Sequence, residues 1–94
     1  MSEYQKIKDK VAEILVPLGF SEGKGDADRG SMSCIFSKGE RKFMIQWDAA
    51  EGMGSVEAWE DGDWNMLESI VPASADAEFA GHLNALCDEL KSHL

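Results

Sequence analysis

The chain has 94 residues, with nine Lys and Arg against 18 Asp and Glu and a formal net charge of -9. That length accommodates one domain, 1–94, built around one modest core. The 44% hydrophobic content excludes a disordered chain, and no apolar run approaches the ~18–20 residues of a membrane span.

The first predicted element is a helix over residues 2–18. Ser2 and Gln5 fit a capping box, S-x-x-Q. Tyr4, Ile7, Val11, Ile14, Leu15 and Leu18 recur at spacings of three and four, which places them on one face. Pro17 lacks the N–H that the last turn needs, and Gly19 is a natural stop. The following stretch, Ser21–Gly30, reads SEGKGDADRG. It has no large apolar residue and predicts a surface connection.

A hairpin comes next. Ser31–Lys38 and Arg41–Asp48 flank Gly39-Glu40, and Gly in the first central position suits a type II′ turn. That turn pairs Phe36 with Phe43, Cys34 with Ile45 and Met32 with Trp47, all on one face. A slip of one residue would bury Ser33, Ser37, Lys42 and Gln46 instead, so the register is well specified. After the Gly-rich link Ala49–Gly54, Ser55–Glu60 and Asp63–Val71 flank Asp61-Gly62, a type I′ signal. The predicted pairs are Trp59 with Trp64, Glu57 with Met66 and Ser55 with Glu68 on one face. On the other they are Ala58 with Asn65 and Val56 with Leu67. A last helix is predicted from Ser74, as its cap, to about His93, with Phe79, Leu83, Leu86, Cys87, Leu90 and Leu94 as its stripe.

The order α-β-β-β-β-α predicts an α+β domain, a four-stranded antiparallel meander packed by N- and C-terminal helices. The face with Cys34, Phe36, Phe43, Ile45 and Trp47 is the one for the helices to cover. In the second hairpin, burying the Trp face would also bury Glu57 and Glu68, which is expensive for unpaired carboxylates. The Val56/Ala58/Leu67 face is therefore the expected core side. The opposite face then exposes Ile35, Met44, Trp59, Trp64 and Met66, with Glu57 and Glu68 at its rim and Ile70 close by. A surface of that kind marks an interaction site. A different partner, a second copy of the chain and a helix folded onto that face are its three possible occupants.

Charge is unevenly distributed. Residues 48–94 hold 11 acids and a single base, Lys91. This half repels phosphate backbones and acidic membranes and attracts basic surfaces, so neither nucleic acid nor membrane is an expected partner. Met1–Lys10 lacks the apolar core of a signal peptide, and the cytoplasm is the expected compartment. Cys34 and Cys87 form no CxxC pattern and read as small buried hydrophobes.

Signals for chemistry are weak. Asp26-Ala27-Asp28-Arg29-Gly30-Ser31 starts like a calcium loop, but Ser31 stands where Gly is required and Ser37 where the bidentate Glu is required. Glu60, Asp61 and Asp63 crowd a tight turn that reads as a solvated tip. His82 and Cys87 lie five apart on one helix, His93 lies near its end, and no fourth zinc ligand accompanies them. Gly23-Lys24-Gly25 lacks the P-loop frame. No nucleophile elbow occurs, and neither Cys has an electropositive setting. No cofactor, metal or catalytic residue is expected, and the chain does not read as an enzyme.

Size, low pI and the mixed helix–strand pattern resemble those of bacterial cytoplasmic accessory proteins, among them secretion chaperones and toxin-immunity proteins. The acidic second half and the exposed Trp and Met face make a non-catalytic interaction module the leading reading, whose partner carries a basic or amphipathic surface or is a second copy. One alternative is a small ligand-binding or enzymatic domain, with Tyr4, Cys34, Trp47 and His82 lining a pocket between sheet and helices. Another is an acidic mimic of nucleic acid.

Overall fold

The computed structural model describes residues 2–28 and 30–94; Arg29, weighed above for the calcium-type loop, lies outside them. Helix α1 (Glu3–Leu15) starts at Ser2, whose Oγ accepts from the Gln5 N–H at 3.2 Å. Only this half of the capping box forms, because the Gln5 side chain donates to Asp9 Oδ1 at 2.8 Å instead. Pro17 ends the α-helix as predicted. Val16–Leu18 tightens into a 3-10 turn closed by Gly19 at φ +98°. That change of winding turns Leu18 out of the stripe and leaves it exposed.

The chain then enters the sheet. Strands β1 (Ser21–Glu22) and β2 (Asp26–Asp28) pair antiparallel with β3 (Ser31–Lys38), where the sequence predicts a loop. They are held by backbone bonds to the edge of β3 and carry no large apolar side chains to signal a strand. The Gly23 N–H donates to the Ile35 carbonyl at 2.7 Å. A Cβ on Gly23 would lie 2.8 Å from that same oxygen, so the close approach of the two chains requires glycine.

β3 and β4 (Arg41–Asp48) pair in the predicted register over all eight residues, from Ser31↔Asp48 to Lys38↔Arg41. β5 begins earlier than the Gly-rich link suggested, at Met53, and runs to Glu60. At Gly54 an added Cβ would meet Ile7 Cδ1 at 2.5 Å and Trp47 Cε3 at 2.9 Å. Glycine there lets α1 lie close against the strands. Asp61 and Gly62, both at positive φ, make the turn to β6 (Asp63–Met66).

The second hairpin matches its predicted pairs only as far as Glu57↔Met66 and the bond from the Leu67 N–H to the Val56 carbonyl. The chain then bulges and returns as β7 (Val71–Pro72) against Gly54 and Met53. The predicted pair Ser55↔Glu68 is not made. Glu89 on α2 (Asp76–Ser92) accepts from the N–H groups of Glu68 and Ser69 at 2.8 and 2.7 Å and draws the bulge to the helix side. Burial pushes the Glu89 carboxyl up, but the hydrogen bonds from Ser69 and Glu68 outweigh it and hold the group below its ordinary value. Glu89→Ala is expected to lower stability by about 1–2 kcal/mol in urea titration, since two N–H groups lose a charged acceptor. A depressed folded pKa also sets the sign of the pH dependence. The contribution is full at neutral pH, above the unfolded carboxylate value, and fades as pH falls through the lowered folded value.

Helix α2 starts at Ala75. Ser74 does not cap it, because its hydroxyl donates to the Pro72 carbonyl at 3.2 Å. Phe79, Leu83, Leu86, Cys87 and Leu90 are buried as predicted, whereas Leu94 is exposed beyond the helix end. The sheet is thus seven-stranded. The predicted four-strand meander is its central path, widened by short edge pieces on β3 and β5. Both helices lie on one face. There Tyr4, Ile7, Val11 and Leu15 of α1 and the α2 stripe enclose Cys34, Phe36, Phe43, Ile45, Trp47, Val56, Ala58, Leu67 and Val71.

Candidate functional site

Alternation along each strand dictates what remains on the other face. Register aligns Ile35, Met44, Glu57 and Met66 in one row across β3, β4, β5 and β6. The next row toward the hairpin tips holds Ser37 and Lys42, then Trp59 and Trp64, one step beyond the Phe43↔Ala58 pair. Away from the tips the face turns polar, with Ser33, Gln46 and Ser55 and then Ser31 and Asp48, and Met53 stands beside Asp48 at its far end. No helix covers any of it.

The two Trp rings meet edge to face, with centroids 5.1 Å apart at 69°. Lys42 Nζ lies 5.6 Å from the Trp59 centroid, a cation–π contact on an exposed surface. Both rings are half-buried, since each leans on its neighbour and none sits under a helix. Met66 is 59% exposed and Ile35 36%. Glu57 accepts from Gln46 Nε2 at 3.1 Å, which holds its carboxylate on the face. Six of the seven predicted site residues therefore come together. Glu68 does not, because the bulge after β6 carries it toward α2.

Two basic residues of the first hairpin tip are absent from this surface. Lys38 Nζ donates to the Leu18 carbonyl at 2.7 Å, and Arg41 Nη2 to the His93 carbonyl at 2.8 Å, both on the helix side. Sequence reasoning missed this division, although strand parity distinguishes Lys38 and Arg41 from Lys42.

The residues proposed for a ligand pocket do not converge. Tyr4, Cys34 and Trp47 are buried in the core, and His82 is exposed on α2. Burial pushes the Cys34, Cys87 and Tyr4 groups up, with Glu22 adding to the effect at Cys34. Both thiols are thus protonated at neutral pH and poorly nucleophilic. An open groove of about 370 Å³ runs between α1 and α2, over Phe79 and Leu83. Its charges are already engaged, with Lys6 Nζ 3.8 Å from Asp76 and 5.5 Å from the Phe79 centroid. Among the described residues no three His, Cys, Asp or Glu side chains are grouped to hold a metal ion, and no helix is long and apolar enough to cross a membrane. No protein-family model matches the chain, and neither a curated protein nor a solved structure matches it.

Proposed function

We propose that this protein is a non-catalytic interaction module that binds another protein surface through the uncovered face of its sheet. One observation carries the reading. Five large apolar side chains, Ile35, Met44, Trp59, Trp64 and Met66, share a sheet face that neither helix covers. A contiguous apolar patch on a small acidic domain calls for a partner. Trp and Met belong to the residue types that dominate binding surfaces. The partner is amphipathic, apolar opposite the Trp and Met rows and basic where it meets the acidic residues from Asp48 to Asp63. Net negative charge speeds its encounter and makes association weaken as salt rises.

Affinity capture from cell lysate at low and near-physiological salt tests this, with Met66→Glu beside the wild type. Met66 is 59% exposed, so the variant is expected to match wild-type stability within about 0.5 kcal/mol. A specific protein retained by the wild type and lost by the variant supports the reading. Equal retention by both removes the sheet face from it, and a salt-independent on-rate removes the electrostatic steering.

A further inference from the structure

Two thiols lie on the helix side of the sheet. Cys34 on β3 is 2% exposed and Cys87 on α2 is 8%. By static exposure Cys87 is the more accessible of the two. What closes over each thiol reverses that order.

Cys87 is closed in by a firmly held element. Leu86 and Leu90 beside it are fully buried. Glu89 accepts from the Glu68 and Ser69 N–H groups, and Arg41 Nη2 donates to the His93 carbonyl at 2.8 Å. Uncovering this thiol means lifting the end of α2 off the core and breaking those contacts together.

Cys34 lies at the rim of the core. Its Sγ donates to the Gly23 carbonyl at 3.6 Å, in the Gly23–Gly25 arch between β1 and β2. Tyr4 reaches the same place from α1. A Cβ on Gly25 would lie 3.9 Å from Tyr4 Oη. Tyr4 is only 9% exposed, and its hydroxyl has no hydrogen-bond partner among the described residues. Every residue from Ser21 to Ala27 is exposed, so none of their side chains is anchored in the core. Short backbone pairings with β3, the Gly23 N–H bond and one ion pair to α1, Lys8 Nζ to Glu22 Oε2 at 3.2 Å, hold this segment down. Its two ends are fixed. Phe20 is buried with its ring 5.6 Å from that of Phe43, and Ser31 begins the full pairing of β3 with β4. A segment held between fixed ends by exposed backbone bonds opens locally, well below the free energy of global unfolding.

We infer that residues Ser21–Asp28 form a strap that swings away from β3 and α1 while the rest of the domain stays folded. Cys34 is thereby a gated thiol, open to small uncharged electrophiles of the maleimide class. In the open state the thiol gives its proton to solvent and its sulfur adds to one alkene carbon, while the other alkene carbon takes a proton from water. The S–H and π bonds break, C–S and C–H bonds form, and nothing is oxidised or reduced. The strap lies on the helix side, so it is independent of what binds the open face.

Labelling of the folded chain with N-ethylmaleimide near neutral pH tests this. Peptide mass spectrometry assigns each adduct, and each rate is divided by the rate of the same thiol in concentrated urea. Cys34 is expected to react on the order of a hundredfold faster than Cys87. Its rate should stay nearly flat at low urea, because the open strap uncovers little surface, whereas that of Cys87 rises with global unfolding. Gly23→Ala sets a Cβ 2.8 Å from the Ile35 carbonyl oxygen and is expected to speed Cys34 about tenfold. Cys87 should follow only the change in global stability, read by urea titration of the same variant. Cys87 reacting level with or ahead of Cys34 overturns the inference. So does a Cys34 rate that climbs with urea as steeply as that of Cys87, or one that Gly23→Ala leaves unchanged.

Discussion

Replacing Trp59 and Trp64 together with alanine is expected to abolish binding and leave most of the stability intact. Both rings are half-buried on the open face, and their main intramolecular contacts on it are each other, at 5.1 Å, and Lys42. An edge-to-face aromatic pair contributes about 0.5–1.5 kcal/mol beyond area and an exposed cation–π contact about 0.5–1 kcal/mol. The expected loss of stability is therefore about 1–2 kcal/mol. Binding is a different matter, because a central Trp on an interface typically contributes about 2 kcal/mol or more. Two such losses predict at least a hundredfold weaker association, on the order of 3 kcal/mol. Chemical denaturation and a binding titration on the same samples separate the two effects. Unfolding of the double variant would make the Trp pair part of the fold's own core and end the surface reading. Intrinsic fluorescence gives an independent check. Only Trp47, buried beneath α1, emits in the double variant, so its spectrum should be shifted to the blue.

Phe36→Ala is expected to have the largest effect on stability. Phe36 is fully buried on β3, among the residues covered by the helices. Truncating such a ring costs about 3–5 kcal/mol in transfer and cavity terms, against a total of about 5–14 kcal/mol for a domain of this size. The midpoint of thermal unfolding should fall by roughly 15–30 °C. Its neighbour Ile35 makes the control. It is next in sequence, on the same strand, but faces the other way and is 36% exposed. Ile35→Ala should cost about 1 kcal/mol or less. Comparable losses at both positions would mean that the open face is covered after all.

These two pairs of residues also show where sequence legibility begins and ends. Alternation has a period of two, so the pattern of β3 and β4 specifies which residues share a face, and Gly39-Glu40 specifies the register. Both features are local, and the three predicted pairs form within a register that holds over all eight residues. The Asp61-Gly62 turn carries the same kind of information, but only for four rungs. Beyond Leu67 the chain is held by Glu89, 21 residues further on. No local pattern around Glu68 announces that contact, so its expected place on the open face does not materialise. β1 and β2 were illegible for a related reason. Backbone groups make their bonds to β3, and backbone bonding leaves no trace in side-chain hydrophobicity. Ser74 also satisfies every local rule for a helix cap, yet its hydroxyl is taken by the Pro72 carbonyl.

The sequence by itself determined the elements with strong periodicity, the registers set by tight turns and the side of each strand that is apolar. It also pointed to the side the helices would cover, since burying Glu57 without a cation is too costly for the Trp face to serve as core. The tertiary structure decided what depends on distant groups. Glycine at position 54 lets Ile7 of α1 lie close against β5, and the bulge at Glu68 docks on α2. Lys38 and Arg41 are drawn to carbonyls on the helix side, and Lys42 is left as the cation of the open face. Each of these contacts joins residues from separate elements, and a linear pattern carries no record of which backbone groups will meet.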